Sequence, residues 1–152
     1  MKGKSPLFSN YSKRHFASAD VSFMSKRKGD FARFASKRKD IDPNGWYDVI
    51  AHGNSNAIEV NSVRGETLVS SRQAAAIIRK QSGFKKASGV RLLSCSTGAD
   101  PEGFAQHLAN ALGKPVSAPT HILYAEQSGR MWVGNNGKFK TFYPGGIKHG
   151  KK

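Results

Sequence analysis

Apolar and polar positions along the chain change period several times, and each change marks an element. "WYDVIA" (46–51) is a nearly continuous apolar run broken by one acid, the pattern of a strand covered on both faces. Pro43, Asn44 and Gly45 precede it as a turn. "NAIEVNSVRGETLVS" alternates weakly about Arg-Gly-Glu, which predicts a hairpin joining 57–60 to 67–69. "SSRQAAAIIRKQSG" reads as a helix capped by Ser70 or Ser71 and ended by Gly83. Residues 90–94 form a second apolar run of strand length. "ADPEGFAQHLANALG" predicts a helix with Asp100 at the N-cap, then Pro101 and Glu102, and Gly113 past the last turn. Phe104, Leu108, Ala111 and Leu112 make its buried stripe.

"KPVSAPT" then reads as a short strand ended by Pro119, and "HILYAE", "RMWVG" and "KFKTFY" as further strands. Asn136-Gly137 predicts a C-terminal hairpin between the last two. Trp46, Trp132 and Phe142 read as core or hairpin packing. The order strand, hairpin, helix, strand, helix, strand predicts an α/β fold with a small, mainly parallel sheet flanked by helices. The crossover between the first two strands is expected to be right-handed and to make them neighbours.

A chain of 152 residues fits one domain. Its boundaries are expected at a basic N-terminal arm over 1–42, an α/β catalytic domain over 43–146 and a basic tail over 147–152. Charge adds a second signal. The formal net charge is +15, a balance that points to nucleic acid, an anionic surface or an acidic protein partner. Residues 1–39 carry eleven Lys or Arg against Asp20 and Asp30, so most of the excess sits in the first quarter. "SKRKGDFARFASKRK" interleaves basic clusters with Phe31 and Phe34. Lys26, Arg27, Lys28, Lys37, Arg38 and Lys39 are the candidates for holding an anionic partner, against the plainer reading of a solvated segment with two aromatic anchors. The arm is expected to add little to the core. No apolar stretch reaches the ~20 residues of a membrane span.

The candidate chemistry lies at the strand ends. The run 46–51 leads into His52-Gly53, and the run 90–94 leads into Cys95, the one cysteine of the chain. If the two strands are parallel neighbours, about 4.8 Å apart, imidazole and thiol meet at the C-terminal edge of the sheet, where α/β folds bind ligands. A thiol of ordinary pKa, about 8.5, is a weak nucleophile at neutral pH, and a nearby imidazole activates it. The Gly53 and Cys95 amides are candidate donors to an oxyanion. Asn54, Ser94, Ser96, Thr97 and His121 are candidate supporting residues, and Gly98 lets the cysteine loop turn. A single cysteine excludes an internal disulfide framework. One Cys with scattered His gives no zinc spacing and no phosphate-binding glycine loop occurs, so neither metal nor cofactor is expected.

Strand–His-Gly, crossover, strand–Cys resembles the layout of caspase-like cysteine peptidases, the superfamily of caspases, gingipains, separases and toxin autoprocessing domains. The likeness covers about 46–112. It implies a caspase-like fold, His52 as general base or orienting group, Cys95 as nucleophile and Gly53 at the oxyanion site. "LLSCSTG" departs from the Gln-Ala-Cys signature of caspases, so no specificity pocket carries over. "LLSCSTGADPEGFAQHLANALGKPVSAPT…FYPGG" is also similar to variable C-terminal modules of bacterial polymorphic toxins, of the Rhs and contact-dependent inhibition kind. That likeness implies export within a larger toxin, delivery to the target-cell cytoplasm and an acidic immunity protein as partner; the peptidase-like layout implies a protein as substrate.

Two other functions stay open on these residues. A basic ribonuclease toxin acting on transfer or ribosomal RNA would pair His52 with His15, His107, His121 or His149 for acid–base catalysis. A non-catalytic module would bind nucleic acid through the arm alone.

Overall fold

The computed structural model describes residues 20–24, 30–41, 45–62 and 65–145. In chain order these form β1 (Asp20–Ser22), α1 (Phe31–Ala35), β2 (Trp46–Ile50), β3 (Ile58–Ser62), β4 (Gly65–Val69) and α2 (Ser71–Arg79). There follow β5 (Gly89–Leu93), α3 (Phe104–Leu112), β6 (Val116–Pro119), β7 (Leu123–Ala125), β8 (Met131–Val133) and β9 (Phe139–Phe142).

The apolar runs become the central strands. A five-stranded sheet has the order β1-β2-β5-β6-β9, with β1, β2, β5 and β6 parallel and β9 antiparallel. The hairpin β3–β4 and helix α2 make the crossover from β2 to β5, and α3 makes the next. Both helices lie on one face. There Tyr47, Val49, Val90, Leu92 and Val116 meet Ile78, Phe104 and Leu108 in the larger core cluster. Strand alternation sends Ile50 and Leu93 to the other face, against Ala35 of α1 and Leu123 of β7. The structure is thus α/β with a mixed, mostly parallel sheet covered on both sides.

Local chemistry explains the helix ends. Ser70 Oγ accepts from the Gln73 amide while Gln73 Oε1 accepts from the Ser70 amide, a complete capping box on α2. Gly113 ends α3 at φ 72°, in the left-handed region that glycine enters without penalty. The α3 N-terminus differs from expectation. Asp100 to Gly103 close a separate turn, and the helix starts at Phe104, whose amide donates to the Ser55 carbonyl at 2.9 Å. A tertiary contact therefore outweighs the Asp-Pro-Glu start signal.

Two other expectations are corrected. The C-terminal hairpin is β7–β8, not the pair around Asn136-Gly137. The Gly134–Gly137 turn does form, with Asn135 and Asn136 at φ 55° and 62° and the Gly137 amide on the Gly134 carbonyl. It delivers β9 to the free edge of β6, because β7 already occupies β8.

The described part of the expected arm is built into the domain. Val21 and Phe23 are buried, and β1 pairs with β2 from Asp20↔Asp48 to Ser22↔Ile50. Arg38, expected to hold an anionic partner, has a fully buried side chain between Asp20 and Asp48, at 2.7 Å from each. Burying its charge requires such partners, and the two acids lie side by side in the β1–β2 register.

Candidate functional site

β2 and β5 are parallel neighbours in register from Trp46↔Gly89 to Ile50↔Leu93. The Ala51 amide donates to the Leu93 carbonyl at 3.2 Å and extends the ladder one step. His52 and Cys95 each stand two residues beyond the last register pair, both half-buried. Alternation assigns them the parity of Ile50 and Leu93, toward the face under α1 and β7–β8. The Cys95 thiol accordingly meets the Leu123 carbonyl of β7, at 3.8 Å.

The loop after Cys95 is held from several sides. Ser94 and Thr97 are buried, and their hydroxyls lie 3.0 Å apart. The Ser96 amide donates to the His121 carbonyl at 3.0 Å, and the Gly98 amide to the Pro119 carbonyl at 2.8 Å. Ala105, in α3, donates to the Thr97 carbonyl at 3.2 Å. A Cβ on Gly98 would lie 2.7 Å from the Ala118 carbonyl oxygen, so glycine is required for the loop to touch β6. Ser96 stands at φ 57°. A non-glycine residue in that region costs energy that surrounding contacts must offset, and it directly follows the cysteine.

The loop after His52 is tied to the same place. The Glu59 amide donates to the His52 carbonyl at 2.9 Å. Asn54 Oδ1 accepts from the Asn56 and Ala57 amides at 2.7 and 3.0 Å, closing an Asx turn. A Cβ on Gly53 would lie 2.7 Å from Thr97 Cγ2 and 3.3 Å from Ser94 Cβ. The His-Gly loop and the cysteine loop therefore pack on one another through Gly53, an absent side chain. Among the described residues no backbone acceptor takes the Gly53 or Cys95 amide, and no hydrogen bond joins His52 to Cys95.

The expected supporting residues sort by what they touch. Asn54, Ser94 and Thr97 shape the two loops. Ser96 positions the turn. His121 acts through its main-chain carbonyl, while its Nε2 lies 3.0 Å from Asn135 Nδ2. Its Nδ1 is buried without a partner among the described residues. His107 is exposed on α3. His15, His149, Lys26, Arg27 and Lys28 lie outside the described residues. Lys37 and Lys39 are exposed. Among the described residues no group of three His, Cys, Asp or Glu gathers to hold a metal, and no helix is long and apolar enough to cross a membrane.

The sequence reading missed a charged cluster on the same face. Arg91 donates from Nε and Nη2 to Asp48 at 2.9 and 2.8 Å, and from Nη1 and Nη2 to Asp40 at 2.7 and 3.1 Å. Asp48 also takes Arg38, which bonds Asp20, so five charges form one network. Burial opposes the Arg91 charge, and the Asp40 and Asp48 carboxylates overcome it, holding the guanidinium above its ordinary range. The Arg91 hydrogen bonds in turn hold Asp40 below the usual carboxylate value. A cleft of about 620 Å³ opens beside this network, lined by Lys39, Asp40, Arg91, Ser128, Gly129, Arg130, Met131 and Phe139. It is separate from His52 and Cys95, and the Arg91 donors inside it are already engaged. The available signal was a charged residue inside each apolar strand: Asp48 in "WYDVI" and Arg91 in "GVRLL".

The family described as a domain of unknown function (DUF8616) matches residues 19–133, and the chain belongs to it. The match opens one residue before β1 and closes at the end of β8. No curated protein and no solved structure matches the chain.

Proposed function

We propose that this DUF8616 member is a cysteine hydrolase of caspase-like design, cleaving a protein substrate with Cys95 as nucleophile and His52 as base. The observation that carries the reading is the β2–β5 register, which sets His52 and Cys95 at equal distance past the ends of neighbouring parallel strands. Two loops locked together through Gly53 keep them there.

The chemistry follows from that placement. His52 takes the thiol proton, and the sulfur attacks the substrate carbonyl carbon. The tetrahedral oxyanion lies between the Gly53 and Cys95 amides. His52 returns the proton to the leaving amine, the C–N bond breaks and an acyl-enzyme remains. Water, deprotonated by His52, then releases the acid and restores the thiol. In the setting the toxin-like C-terminal half implies, the domain travels inside a larger exported protein, acts in the target-cell cytoplasm and is restrained by an acidic immunity protein.

A second reading, a ribonuclease toxin, draws on the +15 charge. Tightly controlled expression of wild type, Cys95→Ala, Cys95→Ser and His52→Ala separates the two. The hydrolase reading expects growth arrest and new protein fragments for wild type only, with intact RNA, and losses that do not add in the double variant. A Cys95→Ala chain that stays fully toxic and degrades RNA overturns it.

A further inference from the structure

The β7–β8 hairpin has two unlike faces. Its inner face gives Leu123, Met131 and Val133 to the core. Its outer face leaves Ile122, Tyr124 and Trp132 exposed by 40%, 45% and 39%. Packing the hairpin on the sheet needs only the inner face, so this adjoining trio contributes little to the fold. Tyr124 and Trp132 are direct cross-strand partners with stacked rings, 5.6 Å between centroids and 23° between planes. The Arg130 guanidinium sits 4.6 Å from the Trp132 centroid. A Cβ on Gly134 would lie 2.6 Å from Tyr124 Cε2, so glycine makes room for the ring across the strand.

The chemistry of this face is flat π surface beside fixed positive charge. Arg130, over the Trp132 ring, is exposed, as is Lys138 after the Gly134–Gly137 turn that follows β8, and Glu126 bridges to Arg130 at 3.4 Å. Single-stranded nucleic acid offers both complements: base faces for the rings and phosphates for the cations. A duplex hides its base faces. An acidic peptide matches the charge but not the rings.

We propose that the outer face of β7–β8 binds single-stranded nucleic acid, with bases stacking on Tyr124 and Trp132 and phosphates meeting Arg130 and Lys138. Leu123, whose carbonyl takes the Cys95 thiol, immediately precedes Tyr124, so the proposed face lies on the hairpin that contacts Cys95. The inference is independent of the hydrolase reading, since it needs binding and no turnover.

The test uses the full chain carrying Cys95→Ala and fluorescence anisotropy of end-labelled 12-nucleotide oligo(U) and oligo(dT), with a blunt RNA duplex and poly-glutamate as competitors. Either single strand is expected to bind, and the duplex and poly-glutamate to compete poorly. Tyr124→Ala and Trp132→Ala should each weaken binding about tenfold, within the range for one lost base stack. Tyr124→Phe and Trp132→Phe keep a ring and should keep most of the affinity, which separates stacking from misfolding. Arg130→Ala should reduce the slope of log affinity against log salt by about one. Absence of single-strand binding, or binding that ignores both alanine variants, overturns the proposal. So does poly-glutamate displacing the oligonucleotide at equal concentration, which would mark the face as a site for an acidic polypeptide.

Discussion

The two faces of the central sheet are built from the same strands by opposite means. Under α2 and α3 the face is apolar throughout: Tyr47, Val49, Val90 and Leu92 meet Ile78, Phe104 and Leu108. Under α1 and β7–β8 the same strands present Asp48 and Arg91 as a register pair beside Ile50 and Leu93. Residues far apart in sequence complete that face, Asp20 from β1 and Arg38 from beyond α1. The first face is a hydrophobic pattern, the second a closed set of ion pairs. The network pairs Arg38 and Arg91 with three carboxylates, so the excess positive charge of the chain lies on residues outside it. Arg38 and Arg91 are consumed inside the domain, while Arg130, Lys138 and Lys140 remain outside.

Substitutions can break the contrast. Arg38→Met should destabilise the domain by about 3–5 kcal/mol in denaturant unfolding, because Asp20 and Asp48 stay buried without that guanidinium. A loss under about 1 kcal/mol would mean that the pairs are incidental to stability. On the apolar face, Ile78→Val should cost about 0.5–1.5 kcal/mol. That loss should change little with pH, since Ile78 packs within an apolar cluster. A pH-dependent loss would show the two faces to be coupled.

The smallest effect sharpens the contrast. Asp40 is the solvent-facing end of the network, with 60% of its side chain exposed, and its pairing with Arg91 is worth at most ~1 kcal/mol. Its folded pKa lies below the ordinary value of 3.8, so the ionised form is favoured by folding. The contribution is present above the unfolded pKa and is lost as pH falls through the depressed folded one. Wild type should exceed Asp40→Asn slightly at pH 6 and converge with it as pH falls through the depressed folded pKa of Asp40. Curves that stay apart in acid would assign the difference to packing.

The apolar face and the candidate site were the legible parts. Periodicity located β2, the β3–β4 hairpin, α2 and β5, and the matching ends at His52 and Cys95 followed from strand order. The charged face was obscured because its partners are distant in sequence. Arg38 lies in a run of basic residues that reads as a solvated surface, and only the opposed Asp20↔Asp48 pair of β1 and β2 explains its burial. The Asn135-Asn136 turn was legible as a turn. Its destination was not, because local turn chemistry fixes a bend and says nothing about which edge is free. The α3 start failed for a similar reason, since the Ser55 carbonyl that caps Phe104 arrives from the other loop.

The central claim is that His52 activates Cys95. Alkylation by iodoacetamide tests it directly, because the chain holds one cysteine and the label reports that thiol alone. Rates are measured at pH 7 for wild type and His52→Ala, with circular dichroism to verify that both are folded. The account predicts ready alkylation of wild type and a rate at least several-fold lower for His52→Ala, since the thiolate is the reacting species. Equal rates for the two folded proteins would contradict it.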